Sequence, residues 1–261
     1  MLRFIIALIA VALVGLVGLT NAFGYDHSST WQLKEKSTER LLNNIGMLYH
    51  FNAYQYKHFP VALTLIKINQ DKARASLVIQ DKSNIQPLQE IAMQSGAIIA
   101  TNGGFYRENF LVNGLLISHD KKYSRLVKNS LLSAVVTISQ KGIINLYKIG
   151  DSGYNDAFWA FQAGPILVDN NHPQQKLDDS AIARRVIYIT TNQGLYLALL
   201  DGATLNESAN ILTSVANKLK LQIHLAVNFD GGKAAAFRIQ TDNKILSHSE
   251  LVPVKSIILI K

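Results

Sequence analysis

Ala97-Ile98-Ile99-Ala100-Thr101-Asn102-Gly103-Gly104-Phe105-Tyr106 and His224-Leu225-Ala226-Val227-Asn228-Phe229-Asp230-Gly231-Gly232 follow one pattern. In each, a short apolar run that reads as a buried strand stops at Asn or Asp, then Gly-Gly. In each, a helix-like stretch comes first: Ile85–Ser95 before one run, with Ser83 or Asn84 as its cap, and Glu207–Leu219 before the other. The second helix is the clearest in the chain, with Leu212, Val215, Ala216 and Leu219 at helical spacing. This is a helix–strand–turn unit used twice. The C-terminal ends of sheet strands are favoured places for ligand chemistry. Glycine there lets the backbone turn sharply and a ligand come close. The pattern predicts both strands in one sheet, with both glycine turns at the same rim. Asn-Gly and Asp-Gly also form plain turns, so the argument for a site rests on their repetition in matching contexts.

Outward from these stretches, hairpins dominate. Val61–Ile68 and Ala73–Gln80 flank Asn69-Gln70-Asp71-Lys72. Leu131–Ser139 and Ile143–Ile149 flank Gln140-Lys141-Gly142, and Arg185–Thr191 and Leu195–Leu200 flank Asn192-Gln193-Gly194. Phe237–Gln240 and Lys244–Ser247 flank Asp242-Asn243, and Leu251–Ile260 closes the chain with a strand. Ala160–Val168 reads as a strand interrupted by Gly164-Pro165, and Ser37–Leu48 as a helix capped by Ser37 or Thr38. The fold class is therefore α+β, with a mixed, largely antiparallel sheet and a few packed helices, and not a doubly wound α/β fold.

Composition narrows the function. The chain has 261 residues, 48% of them hydrophobic and 17% charged, which suits a packed core and excludes disorder. Its 26 Lys and Arg against 18 Asp and Glu give a net charge of +8, which favours anionic partners. With no long basic block and no nucleic-acid motif, phosphorylated glycans and anionic lipid surfaces come before nucleic acid. No cysteine is present, which excludes disulfides, thiol catalysis and cysteine-ligated metals.

The N-terminus reads as a targeting segment. Arg3 supplies a positive start, Phe4 to Leu19 is unbroken apolar and small sequence, and Thr20-Asn21-Ala22 offers a cleavage site. The run is longer than many signal cores and slightly short for a spanning helix. Residues 1–22 are thus either a signal peptide or an N-terminal membrane anchor, and either way the rest is exported, to a periplasm or cell envelope. Residues 23–56 form a lead-in segment, polar and poorly ordered over 23–36, and residues 57–261 form the domain. The membrane is engaged only through the N-terminal segment.

There is no Gly-x-Ser-x-Gly elbow and no P-loop. The seven His are scattered, with no His-x-x-x-His or His-x-His pair, so no metal site is expected from them. His119 and His172 read as surface histidines.

Four segments in order resemble the phosphodiester glycosidase family, which includes a lysosomal enzyme that removes N-acetylglucosamine from a phosphodiester. They are Asn102-Gly103-Gly104-Phe105-Tyr106, Gly164-Pro165-Ile166-Leu167-Val168, the strand opened by Arg184, and Asn228-Phe229-Asp230-Gly231-Gly232. The resemblance runs from about residue 57 to the C-terminus. It implies an exported hydrolase that cleaves a glycosyl–phosphate bond in an envelope glycan or phosphoglycan. Two positions depart from the family pattern. Lys233, Ala234 and Ala235 replace hydroxyl residues after the last glycine pair, and Tyr188 replaces a glycine on the arginine-led strand. These departures keep open a second reading, a non-catalytic glycan-binding protein on the same fold.

The residues suit the implied chemistry. Breaking a sugar–phosphate bond at the anomeric carbon builds an oxocarbenium-like transition state that a carboxylate must stabilise or attack. Asp230 is the expected carboxylate. Arg184 would hold the phosphate through its planar fork of donors. Neighbouring Arg185 would take that place if the strand register slips by one. Asn102 would orient a sugar hydroxyl or the phosphate. Backbone amides of Gly103, Gly104, Gly231 and Gly232 would form an anion-binding concavity, with Lys233 adding charge. Glu108 is a second carboxylate near the first motif, and Asp201 reads as a turn or cap residue. No cofactor is implied, and a divalent ion bridging Asp230 and the phosphate stays open.

Overall fold

A computed structural model describes residues 30–155 and 157–261. The targeting segment expected over residues 1–22 lies outside the described residues. Among those described, no helix is long and apolar enough to cross a membrane.

Three sheets carry the fold. The largest has eight strands, in the order β1-β2-β3-β14-β13-β15-β11-β12. Its strands are β1 (Gln32–Arg40), β2 (Gly46–Tyr54), β3 (Val61–Ile68), β11 (Ile166–Asp169), β12 (His172–Pro173), β13 (Ala183–Thr191), β14 (Gly194–Ala203) and β15 (Ile223–Asn228). A second sheet orders β7 (Lys121–Ser124), β6 (Leu116–Ser118), β10 (Trp159–Ala163), β8 (Ala134–Ile138) and β9 (Ile144–Lys148). The third orders β17 (Ile245–His248), β16 (Phe237–Gln240), β5 (Ile99–Asn102), β18 (Ser256–Ile260) and β4 (Ala75–Ile79). Among the described residues the strands pair antiparallel, β13 with β14 and β5 with β18 for example, as α+β patterning predicts.

Alternation along the strands builds the layers. Val186, Tyr188 and Val227 of the large sheet face Ile99, Ile258 and Phe161 of the other two across a central core. Ile187 and Ile189 point the other way, under helix α2 (Leu205–Leu219), whose Leu212 and Val215 cover them. Helix α1 (Leu88–Ser95) covers the outer face of the third sheet through Leu88 and Ala92 against Ala100 and Ile257. Thr204 and Glu207 cap α2 reciprocally: the Glu207 amide donates to Thr204 Oγ1 at 3.1 Å and the Thr204 amide to Glu207 Oε2 at 2.8 Å. Such a cap contributes about 1 kcal/mol. Truncating one buried leucine costs roughly 2–5 kcal/mol, so packing rather than capping holds the helix.

Several sequence expectations change. Ser37–Leu48 is not a helix. It is the end of β1, a short 3-10 turn at Leu42–Asn44 and the start of β2. Asn43 and Asn44 sit at φ 57° and 54°, where asparagine is tolerated and an α-helix cannot continue. Most of the lead-in thereby enters the large sheet, β1 pairing with β2 and β2 with β3, and residues 32–36, expected to be poorly ordered, are strand. Helix α1 starts at Leu88, not at the expected Ile85, and without a side-chain cap from Ser83 or Asn84. The distant Glu250 accepts from the Leu88 amide at 2.8 Å instead.

The β3–β4 segment turns at Asn69–Lys72 but forms no hairpin. The amides of Arg74 and Ala75 donate to Lys261 and Gly142, which draws β4 into the third sheet. Gly164-Pro165 likewise divides two strands of different sheets, β10 and β11. A Cβ at Gly164 would lie 2.1 Å from the Leu131 carbonyl oxygen, so only glycine fits. Last, the two glycine-pair strands occupy different sheets: β5 the third and β15 the large one.

Candidate active site

The two glycine turns meet although their strands do not share a sheet. Tyr188 on β13 bridges the gap, its hydroxyl 2.9 Å from Thr101 Oγ1 on β5. The Tyr188 ring stacks on Phe229 at 4.7 Å and 17°, and Phe161 meets Phe229 edge-on at 5.4 Å. Tyr188 and Phe229 are wholly buried. Tyr188 thus fills the core against Phe229, the residue that precedes Asp230.

Asn102 completes the junction. It is 1% exposed, its Nδ2 donates to the Asp230 carbonyl at 2.6 Å, and its Oδ1 accepts from the Ala236 amide at 3.0 Å. Asn102 was expected to orient a ligand, but both its polar atoms are spent on protein. Its role is to brace the loop that carries Asp230.

The Asp230 side chain itself opens onto a cavity of about 630 Å³. Burial pushes its carboxyl up to about 6, against a lowering hydrogen bond from the Gly231 amide. Tyr106 shares the cavity. Burial and the charges of Asp230 and Glu250 raise its hydroxyl above the ordinary tyrosine value, so it stays a neutral donor at neutral pH. Arg107, Glu108 and Lys233 also line the cavity. Among the described residues neither Arg107 nor Lys233 makes an ion pair, so both charges are open to a ligand.

The glycines divide by role. The Gly103 amide donates to the Ser256 carbonyl at 2.9 Å and the Gly104 amide to Ser256 Oγ at 3.2 Å. A Cβ would lie 2.5 Å from Ser256 Oγ at Gly103 and 2.6 Å from the Gln162 carbonyl at Gly104. These two permit close packing, and their amides do not form the expected anion concavity. Gly231 lines the cavity, and Gly232, at φ 60°, opens a short turn that places Lys233 outward and Ala234 and Ala235 inward.

The two arginines alternate across β13, and the Arg185 guanidinium comes within 3.5 Å of where a Cβ on Gly231 would sit. Arg184 lies on the inner face and Arg185 on the helix face, where its guanidinium donates to the carbonyls of Ala203 at 3.0 Å and Ala181 at 2.6 Å. Arg184, however, does not enter the Asp230 cavity. Its guanidinium bonds Asp201 at 3.0 Å and His248 Nε2, lining a separate depression of about 260 Å³ with Thr64 and Phe237. The Asp201 carboxylate is largely exposed, which makes this a weak ion pair. His248 lines this depression, and Glu250 two residues on acts electrostatically both on His248 and on Tyr106 of the Asp230 cavity. Among the described residues no three His, Asp or Glu converge to hold a metal ion.

Sequence reasoning assigned no role to Tyr106, Arg107 or His248. Tyr106 and Arg107 could have been found as the continuation of the first glycine motif. His248 carries no local signal, because only the β16–β17 hairpin brings it to Arg184.

A sequence model of the phosphodiester glycosidase family matches residues 95–261, more than half of the chain and all of both glycine motifs. The chain belongs to the phosphodiester glycosidase family. No curated protein sequence matches it significantly. Among solved structures, a hypothetical protein from Synechocystis superposes with a TM-score of 0.60 at 14% identity, covering 89% of this chain and 68% of that one. The catalytic domain of zebrafish N-acetylglucosamine-1-phosphodiester alpha-N-acetylglucosaminidase, auto-inhibited by its pro-peptide, superposes with a TM-score of 0.52 at 15% identity. That match covers 90% of this chain and 85% of the zebrafish chain. At such identities the phosphodiester glycosidase fold is what these neighbours share.

Proposed function

We propose that this protein is an exported hydrolase that cleaves a glycosyl–phosphate bond in an envelope glycan or phosphoglycan. The observation that carries this reading is the Asp230 carboxylate, desolvated on the wall of a cavity also lined by Lys82, Arg107 and Lys233, none of which makes an ion pair among the described residues. Above about pH 6 Asp230 is ionised. Its charge then faces the anomeric carbon, where positive charge develops as the bond to the phosphate oxygen lengthens. A phosphate leaves without needing a strong general acid. Arg107 and Lys233 hold the departing anion, and the neutral Tyr106 hydroxyl donates to one of its oxygens. Asn102 acts indirectly, by fixing the loop. Export to a periplasm or envelope is supported by Arg3 and the apolar run from Phe4 to Leu19.

A test compares wild-type and Asp230→Asn on an activated glycosyl phosphodiester. The amide keeps shape and hydrogen bonding but cannot stabilise developing positive charge. Turnover should fall by orders of magnitude while ligand affinity changes little. One observation favours the second reading, a glycan-binding protein: Arg184 is committed to Asp201 and His248 and not to the cavity. If wild-type turns over no sugar phosphodiester but binds an anionic glycan, that reading replaces the first.

A further inference from the structure

Part of the lining of the Asp230 cavity is apolar. Ile85, Phe110, Val252 and Pro253 form it. The Tyr106 ring meets Phe110 edge-on at 5.5 Å, and Lys255 covers the other ring from 5.0 Å, which fixes the Phe110 surface. The apolar character continues out of the mouth. Ile85 is 38% exposed, and two further leucines beside the lining are more so, Leu111 at 59% and Leu251 at 76%. Both are tied to cavity residues through the backbone: the Arg107 amide donates to the Leu111 carbonyl at 2.8 Å, and the Leu251 amide to the Lys233 carbonyl at 2.8 Å. Lys82, Arg107 and Lys233 stand among these side chains. A hollow with two carboxylates, Asp230 and Glu108, three cations and an apolar lining that runs outward matches an amphiphile with an anionic head, not a wholly polar oligosaccharide.

From this juxtaposition we infer that the phosphodiester cleaved here carries a lipid chain on the side of the phosphate away from the sugar. The chain lies along Ile85, Val252 and Pro253, backed by the buried Phe110 ring, and leaves past Leu251 and Leu111. The phosphate sits among Lys82, Arg107 and Lys233, and the sugar faces Asp230. This rests on the hydrolase reading and names its substrate class. In the reaction the bond from the anomeric carbon to the phosphate oxygen breaks, and water supplies the new oxygen on that carbon. One water proton ends on the sugar hydroxyl. The other is released or taken by the product, a phosphate monoester of the lipid alcohol.

The test separates chain recognition from catalysis by using a product-like ligand. Decyl phosphate and methyl phosphate are titrated calorimetrically against the wild-type protein, below the micelle threshold of the longer ligand. Each methylene taken up by the apolar wall should tighten binding roughly fourfold. Decyl phosphate should therefore bind at least about fifteenfold more tightly than methyl phosphate, with only two methylenes buried. Ile85→Asp and Leu251→Asp, both at exposed positions and checked for folding by circular dichroism, should erase most of that ratio. Equal binding of the two phosphates by wild-type overturns the inference, and so does a chain preference that survives both substitutions. A lack of turnover on glycosyl phosphodiesters would instead overturn the hydrolase reading, and the binding ratio would remain readable on its own.

Discussion

Replacing Asp230 with Asn should make the protein more stable at neutral pH. The wild-type carboxyl is raised from 3.8 to about 6 by burial. The native state therefore holds this proton more tightly than the unfolded chain does. Asp230 contributes stability that is full below the unfolded value and is lost as pH rises through about 6. At pH 7 and above, the native state carries the cost of a desolvated charge. Two pKa units correspond to about 2.7 kcal/mol. The carboxylate opens onto a cavity and not into the packed core, so roughly half of that, about 1.4 kcal/mol, is the expected gain. Asparagine removes the charge and can still accept from the Gly231 amide. For a domain of this size the gain corresponds to a rise in Tm of about 3–6 °C. The assay is thermal unfolding of both proteins near neutral pH and again at a pH below 3.8, where the wild-type carboxyl is protonated in both the native and the unfolded state. The advantage of the variant should shrink to near zero at the acid end. An asparagine variant that is less stable at neutral pH, or equally favoured at both pH values, would refute the desolvation argument.

Other expectations follow from the same contacts. Asn102→Ala leaves the Ala236 amide and the Asp230 carbonyl without their partner and should cost roughly 2–4 kcal/mol in denaturant unfolding. It should also lower kcat more than it raises KM, because the loop that aims Asp230 loosens. Turnover should rise with pH through about 6 as Asp230 ionises, and a rate that falls across this range would contradict the role given to the carboxylate. A reporter fused to residues 1–30 should cross the inner membrane, and mass spectrometry of the mature N-terminus then separates cleavage after Ala22 from retention as an anchor.

What was legible in the sequence was local. The β13–β14 turn at Asn192-Gln193-Gly194 could be read because Gly194 sits at φ 106° and Thr191 caps the turn. Helix α2 could be read because its apolar face repeats at helical spacing. The β8–β9 and β16–β17 hairpins were read for the same reason, two patterned runs around a short polar turn. What was not legible was which strands share a sheet. The β3–β4 and β10–β11 segments look like continuous local units, yet the chain changes sheets inside each, because pairing with β18 or β15 is decided by residues far along the chain. The site divides in the same way. Asp230 and the meeting of the two glycine turns followed from the repeated motif. The destinations of Asn102 and Arg184 did not, because Ala236, Asp201 and His248 come to them only through the tertiary fold.

The most direct test of the account is hydrolysis of a glycosyl phosphodiester in heavy-oxygen water, with the released phosphate monoester weighed by mass spectrometry. Attack at the anomeric carbon beside Asp230 predicts an unlabelled phosphate, because the bridging oxygen leaves with phosphorus. A labelled phosphate would mean cleavage at phosphorus, and would contradict the role assigned to Asp230.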